Sequence, residues 1–324
     1  MIRNIDLPSP PKITLGVSAC LLGESVRFNG GHKRDDFVAG ALPPFFQFHT
    51  ICPEIAIGMG TPRPPIQLKE INGTLHLLNK DRPDEINVTE KMVRFSHETA
   101  PTLHALSGYI FKNKSPSCGI EKIPVYGEHG QPIRHQAGIY AEIIQRAHPN
   151  LPIEDEGRLN DPVIRENFIE RVFVYARWQA LIHEGLTMGK LVEFHSRHKY
   201  QIMSHSQAAY KSLGAMIANH DKLPLETLAL LYPEALMQAL QHKATPKNHT
   251  NTLMHILGYL KTELTLDDKQ EMLQILDHYR TGKLPLIVPI TLLKHYFRKY
   301  PDRYIAKQYY LEPHPAELML RNHV

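Results

Sequence analysis

A chain of 324 residues with 42% hydrophobic and 22% charged side chains has the length of two domains and a globular composition, neither disordered nor fibrous. No run of about 18 apolar residues could span a bilayer, and Met1 to Pro11 carries no signal-peptide apolar segment, so a cytoplasmic protein without a membrane partner is expected. The formal net charge of +4 arises beyond residue 160, where 20 Lys and Arg face 16 Asp and Glu, against 17 and 17 before it; this modest excess fits an anionic partner such as RNA but is common among other soluble proteins.

Along the first half, short β-type runs alternate with turns. Ile13, Leu15 and Val17 alternate with small or polar residues and lead into Ser18-Ala19-Cys20; Phe48 to Ile51 stops at Cys52-Pro53; Gly108 to Phe111 precedes Lys112 to Cys118. Each cysteine thus follows a predicted strand. In an open α/β sheet, ligand sites form outside the carboxyl ends of the strands, where three cysteines distant in sequence can meet. From Leu151 to Asp161, Pro152, the acidic cluster Glu154-Asp155-Glu156 and Gly157 have the composition of an exposed connection. The domain boundary is placed there, giving residues 1–156 and 157–324.

The second half is predicted to be helical. Asp161-Pro162 has the form of an N-cap followed by a first-turn proline, with Phe168, Val172, Tyr175 and Ile182 as an apolar stripe. Further helices are predicted over 188–210, 224–242, 250–264 and 267–279. The fold class is therefore an α/β domain with a Rossmann-like open sheet, followed by an all-α domain.

Spacings of 32 and 66 residues between the cysteines do not match a zinc finger, whose ligands come in close pairs. Free cysteine is also a common core residue, but here each thiol sits among glycine, proline or serine, which build turns with backbone N–H groups available to sulfur. Ser18-Ala19-Cys20-Leu21-Leu22-Gly23, Arg27-Phe28-Asn29-Gly30, Cys52-Pro53-Glu54, Thr61-Pro62-Arg63 and Ser115-Pro116-Ser117-Cys118-Gly119 together resemble the TudS-type thiouracil desulfidases over residues 12 to 155. That family usually has Tyr-Asp-Gly where Phe28-Asn29-Gly30 stands here. The resemblance implies a [4Fe–4S] cluster held by Cys20, Cys52 and Cys118. Three thiolates leave one iron of a cubane without a protein ligand, a soft position matched to a thiocarbonyl sulfur. Glu54 is then the candidate proton carrier, Ser115 and Ser117 candidate donors to the bound sulfur, and Arg27, Arg63, Lys112 and Lys114 candidate phosphate contacts, each of these also readable as a turn or surface residue.

Phe194 to Tyr200 with Ser204-His205, His249 to His255 with Gly258-Tyr259, Tyr279-Arg280, Pro285 to Pro289 and Pro313-His314-Pro315 resemble the YbgA-type domain. A TudS-type domain fused to it is similar to the RudS-type desulfidases, which implies 4-thiouridine in tRNA as substrate. Among His195, His198 and His205 no carboxylate stands at ligand spacing except Glu193, on a different helix face, so packing or RNA contact is expected of them ahead of metal binding. Arg197, Lys199 and Tyr200, and likewise Arg298 and Lys299 near aromatic rings, suit backbone contact and base stacking, although such runs are also ordinary on solvated helices. Three readings follow: a tRNA 4-thiouridine desulfidase; a desulfidase of free thiouracil or its nucleotide, with the helical half serving structure or dimerisation; and a non-catalytic nucleic-acid-binding sensor built on thiols or a cluster.

Overall fold

The computed structural model describes residues 13–219 and 223–323; Met1 to Pro11, read above as free of a signal segment, lies outside the first of these ranges. The chain divides into two compact units, Met1–Glu156 and Gly157–Val324. No helix among the described residues is long and apolar enough to cross a membrane.

The first unit carries a four-stranded parallel sheet of β1 (Ile13–Ser18), β2 (Phe46–Ile51), β5 (Gly108–Phe111) and β8 (Ile153–Asp155), in the order β2-β1-β5-β8. Its central strands are apolar on both faces, as parallel strands covered on both sides require: Leu15, Val17, Tyr109, Ile110 and Phe111 are inaccessible to solvent. Gly16 makes room for an aromatic ring, since a Cβ there would lie 2.4 Å from Cδ2 of Tyr109. Helices α1 (Pro53–Ala56), α2 (Thr89–Thr99) and α3 (Ile139–Ala147) complete the unit, with α2 packed on α3.

A second, mixed sheet was not anticipated from the sequence. It comprises β3 (Ile66–Ile71), β4 (Thr74–Asn79), β6 (Ile123–Tyr126) and β7 (Pro132–Gln136), ordered β4-β3-β6-β7. Asn72 and Gly73, both at positive φ, close the β3–β4 hairpin with the Asn-Gly pair such turns favour. The expected exposed connection is also corrected. Glu154, Asp155 and Glu156 are buried, because Glu154 and Asp155 pair with Ile110 and Phe111 in the parallel sheet, and the Glu156 carboxylate receives the Lys112 ammonium and the Asn113 N–H.

The second unit is helical: α4 (Pro162–His183), α5 (Met188–His205), α6 (Gln207–Ala218), α7 (Leu225–Gln241), α8 (Pro246–Leu257), α9 (Leu266–Arg280) and α10 (Ile287–Lys299). Asp161 caps α4, its carboxylate accepting from Val163 N (2.8 Å) and Ile164 N (3.1 Å). The stretch expected as one helix to Tyr210 breaks at Ser206, whose extended backbone and hydroxyl cap α6. Helix α10 was missed. Of the expected α4 stripe, Phe168 and Val172 are buried while Ile182 is exposed. The buried face of α4 is partly ionic instead.

Glu170 is the hub of that polar core. It accepts from Gln201 Nε2 (2.7 Å) and stands 3.4 Å from His205 Nε2 and 3.9 Å from Arg321 Nη2, while Glu166 pairs with Arg321 Nε at 3.2 Å. Burial pushes the Glu166 carboxyl up to about 7. Despite its own burial, Glu170 is held well below the usual carboxylate range by His205 and Arg321. Burial also lowers His195 to about 4 and His249 to about 3, and lowers His198 and His314. The three predicted histidines serve packing: His195 Nδ1 meets Tyr232 Oη at 3.1 Å, and His198 and His205 donate from Nδ1 to the Phe194 and His242 carbonyls.

A histidine whose folded pKa is depressed contributes stability that is present above its unfolded value near 6.5 and is lost as pH falls toward the folded value. Glu166 acts oppositely, its contribution being lost as pH rises from about 4.5 to about 7. With four histidines against one carboxyl, the midpoint of urea unfolding of the helical unit should drop between pH 7 and pH 4.5. His249→Gln should flatten that slope; an unchanged slope would show that His249 is not buried in its neutral form.

Candidate metal centre at the strand ends

Because β2, β1 and β5 run parallel, Ser18 pairs with Ile51 and Val17 with Ile110, and their carboxyl ends lie side by side. Cys20 follows β1 in a single turn, Ala19–Leu22. Cys52 follows β2 at the N-cap position of α1, where its thiol donates to the Val26 carbonyl at 3.8 Å and the nearby backbone N–H groups of Ile55 and Glu54 favour its thiolate against the effect of burial. Cys118 sits in the turn after β5. All three are free thiols, Cys20 and Cys118 buried and Cys52 partly so.

The thiols sense one another. Burial pushes Cys20 up to about 11, Cys52 raises it further, and Lys112 and Arg27 oppose the rise. Burial likewise raises Cys118 well above the ordinary thiol value, with added contributions from Glu54, Cys52 and Cys20, while a hydrogen bond from Ser18 favours the thiolate. Three ionised sulfurs in this place need a cationic partner. No group of three or more His, Cys, Asp or Glu among the described residues forms a site for a single metal ion. A cluster of several irons holds its thiolates farther apart than one ion does, and an all-sulfur donor set is the chemistry iron–sulfur clusters select. The residues fit such a group.

Glu54, in the first turn of α1, is fixed on both oxygens. Oε2 accepts from Arg63 Nε (2.9 Å) and Nη2 (2.7 Å), and Oε1 accepts from Ser117 Oγ (3.0 Å). Arg63 also donates from Nη1 to the Gly60 carbonyl at 2.9 Å. The expectation that Arg63 contacts phosphate is therefore corrected: its side chain is 3% exposed and its guanidinium is committed to Glu54. Ser117 is corrected in the same way, being wholly buried with its hydroxyl directed to the carboxylate. Ser115 Oγ accepts from the N–H groups of Ser117 (3.2 Å) and Cys118 (3.1 Å), so it shapes the turn.

Gly138 holds that turn against the start of α3. A Cβ there would meet the Ser117 carbonyl at 2.6 Å, and Gly138 N donates to Gly119 O at 2.8 Å. Lys112, an expected phosphate contact, is engaged by Glu156 and by Asn113 Oδ1 (2.6 Å). Arg27 is half-buried, 5.5 Å from the Phe28 ring centre, and Lys114 is exposed at positive φ. Ser18, Gly138 and Glu156 were missed; only Ser18, two residues before Cys20, carried a local signal.

In the helical unit, Tyr200 is 2% exposed and cannot stack on a base. Lys199 places its ammonium 5.3, 5.6 and 6.0 Å from the rings of Tyr200, Tyr304 and Tyr210. Tyr259, missed from sequence, is exposed and stacks on Tyr304 at 5.8 Å. Arg298 and Lys299 are exposed on α10, beside His295 and Tyr300 respectively. Arg197 lies against Tyr309 and donates to the Lys307 carbonyl at 3.3 Å.

Residues 15–156 match the model of the 2-thiouracil desulfurase family, and residues 199–315 match DUF1722, a family described as of unknown function. The chain is 35% identical over 153 residues to the uncharacterized protein YbgA of Escherichia coli (strain K12), covering 47% of this chain and 90% of YbgA. It is 30% identical over 154 residues to the uncharacterized protein YbbK of Bacillus subtilis (strain 168), covering 45% of this chain and 97% of YbbK. A solved structure of the [4Fe-4S]-dependent thiouracil desulfidase TudS is 27% identical, covering 46% of this chain and 95% of its own, with a TM-score of 0.35. The chain thus belongs to the YbgA family and joins that domain to one of the 2-thiouracil desulfurase family.

Proposed function

We propose that this protein hydrolytically removes sulfur from 4-thiouridine in tRNA, with a [4Fe–4S] cluster held by Cys20, Cys52 and Cys118. One observation carries the reading: three free cysteines at adjacent parallel strand ends stand beside a carboxylate fixed by Arg63 and Ser117. A cluster with three protein thiolates supplies an iron open to a soft thiocarbonyl sulfur.

The protein's own groups then handle water and protons. Arg63 directs Nε and Nη2 to Oε2 of Glu54, which leaves Oε1 turned toward Ser117 and the cysteine turn. From there Glu54 accepts a proton from the water that attacks the sulfur-bearing carbon. The carbon–sulfur bond breaks, the carbon keeps a carbonyl oxygen, and sulfur leaves as hydrosulfide with no net redox change. The second proton of that water passes from the carbon-bound hydroxyl through the Ser115 hydroxyl to the departing sulfur, so that Ser115 ends protonated while Glu54 carries the first proton. Arg27 and Lys114 remain the candidates for phosphate contact near the site, and Arg197, Lys199, Arg298 and Lys299 for RNA contact on the helical unit.

A second reading, a desulfidase of free thiouracil, is favoured by the description of the matching family. Protein reconstituted anaerobically should bind about four irons per chain and abolish the thiocarbonyl absorbance of 4-thiouridine-containing tRNA. Loss of absorbance with free thiouracil alone would establish the second reading; loss with neither would overturn both. Glu54→Gln should keep the iron and lower turnover by roughly 10²-fold or more, and unimpaired turnover would remove Glu54 from the mechanism. Arg63→Ala should reduce kcat similarly at full iron content, with added guanidinium restoring part of it.

A further inference from the structure

Tyrosines from α5, α6, the turn after α8 and the C-terminal segment gather around one lysine of the helical unit. The Lys199 ammonium lies 5.3 Å from the ring centre of Tyr200, 5.6 Å from that of Tyr304 and 6.0 Å from that of Tyr210. Tyr259, in the turn Gly258–Leu260 after α8, stacks on Tyr304 with ring centres 5.8 Å apart and planes 19° from parallel. Tyr200 meets Tyr304 edge-on, at 74°. It belongs to the hydrophobic core with Leu253, Ile256 and Leu260, against which Tyr210 and Tyr304 also pack. The rings thus stand on the core.

The outer ring differs from the others. Tyr304 covers one face of Tyr259, and the Tyr259 hydroxyl stands beside that of Tyr200, which burial and then this neighbour push up. Tyr259 is nonetheless 41% exposed, so its opening to solvent falls on the opposite face. A ring fixed on one face and wet on the other presents a π-surface whose ordering precedes any partner. Lys199 beside it keeps its charge: burial acts against the ammonium, but Tyr304 and Tyr210 raise it above its ordinary value. It forms no ion pair among the described residues. Lys211, Lys261 and Arg303, each within two residues of one of these tyrosines, are exposed. The acids of the same segments are engaged locally, Asp302 by the N–H groups of Tyr304 and Ile305 (both 2.8 Å) and Glu263 by the Thr262 hydroxyl (3.2 Å).

We propose that Tyr259 and Lys199 form a binding site for an unpaired nucleotide of tRNA: a base stacks on the open face of Tyr259, and Lys199 takes the adjoining phosphate. A π-face alone would accept any flat group and an ammonium alone any anion, whereas single-stranded RNA offers base and phosphate side by side. Every base has a π-face, so the site is tolerant of sequence. The site rests on the tRNA function proposed above and names where the helical unit holds that substrate. Tyr259 takes the stacking role for which Tyr200 is too deeply covered.

The test is equilibrium binding of bulk tRNA to the full chain over a range of salt. Loss of a stacked base carries no ionic component, so Tyr259→Ala should weaken binding about tenfold at an unchanged slope of log K against log salt. Tyr259→Phe, which keeps the ring but not the hydroxyl beside Tyr200, should bind as the wild type does. Lys199→Gln should reduce the slope by about one. In Tyr259→Trp the new indole emission should be quenched by tRNA, while the wild type, whose single tryptophan is the buried Trp178, should show no such quenching. Binding that depends on Tyr259 without desulfuration of tRNA keeps the site and counts against the function proposed above. Desulfuration of tRNA by a chain whose binding ignores Tyr259 does the reverse. The site is overturned by a wild type that does not bind tRNA, by equal binding in Tyr259→Ala, or by a loss in Tyr259→Phe as large as in Tyr259→Ala. A salt slope that Lys199→Gln leaves intact, or an indole at position 259 that tRNA does not quench, overturns it as well.

Discussion

Concentrating negative charge at the ends of three adjacent parallel strands is the constraint on which the α/β unit is organised. Buried thiols resist ionisation, so a site that needs them as thiolates must supply compensation from every side. Backbone N–H groups at the start of α1 serve Cys52, Ser18 serves Cys118, and the charges of Lys112 and Arg27 favour ionised Cys20. Lys112 is in turn held by Glu156, which explains why the residue directly after β8, at the sheet edge, is a buried acid.

The same logic governs Glu54. A carboxylate set among thiolates raises their pKa, and Arg63 neutralises that charge from a buried position. Arg63 is anchored through Gly60 O and through its own N–H to the Phe28 carbonyl (2.7 Å). The segment following Cys20 and the loop following α1 are thereby tied to one carboxylate. Fixing both oxygens restricts which one faces the cysteine turn, a form of preorganisation that spares the side chain from reorienting during reaction.

The helical unit solves a different electrostatic problem. Its longest helix buries Glu166 and Glu170 along one face, and Arg321, from the end of the chain, reaches in to both. Buried pairs of this kind add little net stability but penalise arrangements that leave one member alone. Placement of the C-terminal segment is accordingly coupled to α4, and that segment carries Tyr304 to Lys199 and Tyr259.

Local chemistry determined what could be read from the sequence. Strand-like alternation ending at each cysteine, the glycine, proline and serine turns around the thiols, the Asp161-Pro162 helix start and the change from α/β to helix all follow from short-range patterns, and the fold class follows with them. The β3–β4 hairpin had a local signal in Asn72-Gly73 that went unused, whereas β8 was illegible because acidic residues inside a strand depend on partners elsewhere in the chain. Whether a long polar side chain faces solvent or a buried partner is likewise not a local property. Arg63 has the same composition-level signature as a surface cation, and Tyr200 that of an exposed stacking residue, yet one is spent on Glu54 and the other is covered by the helical core. Only tertiary pairing decided those positions, because the free energy of burying a charge or a ring depends on which groups the fold brings to meet it.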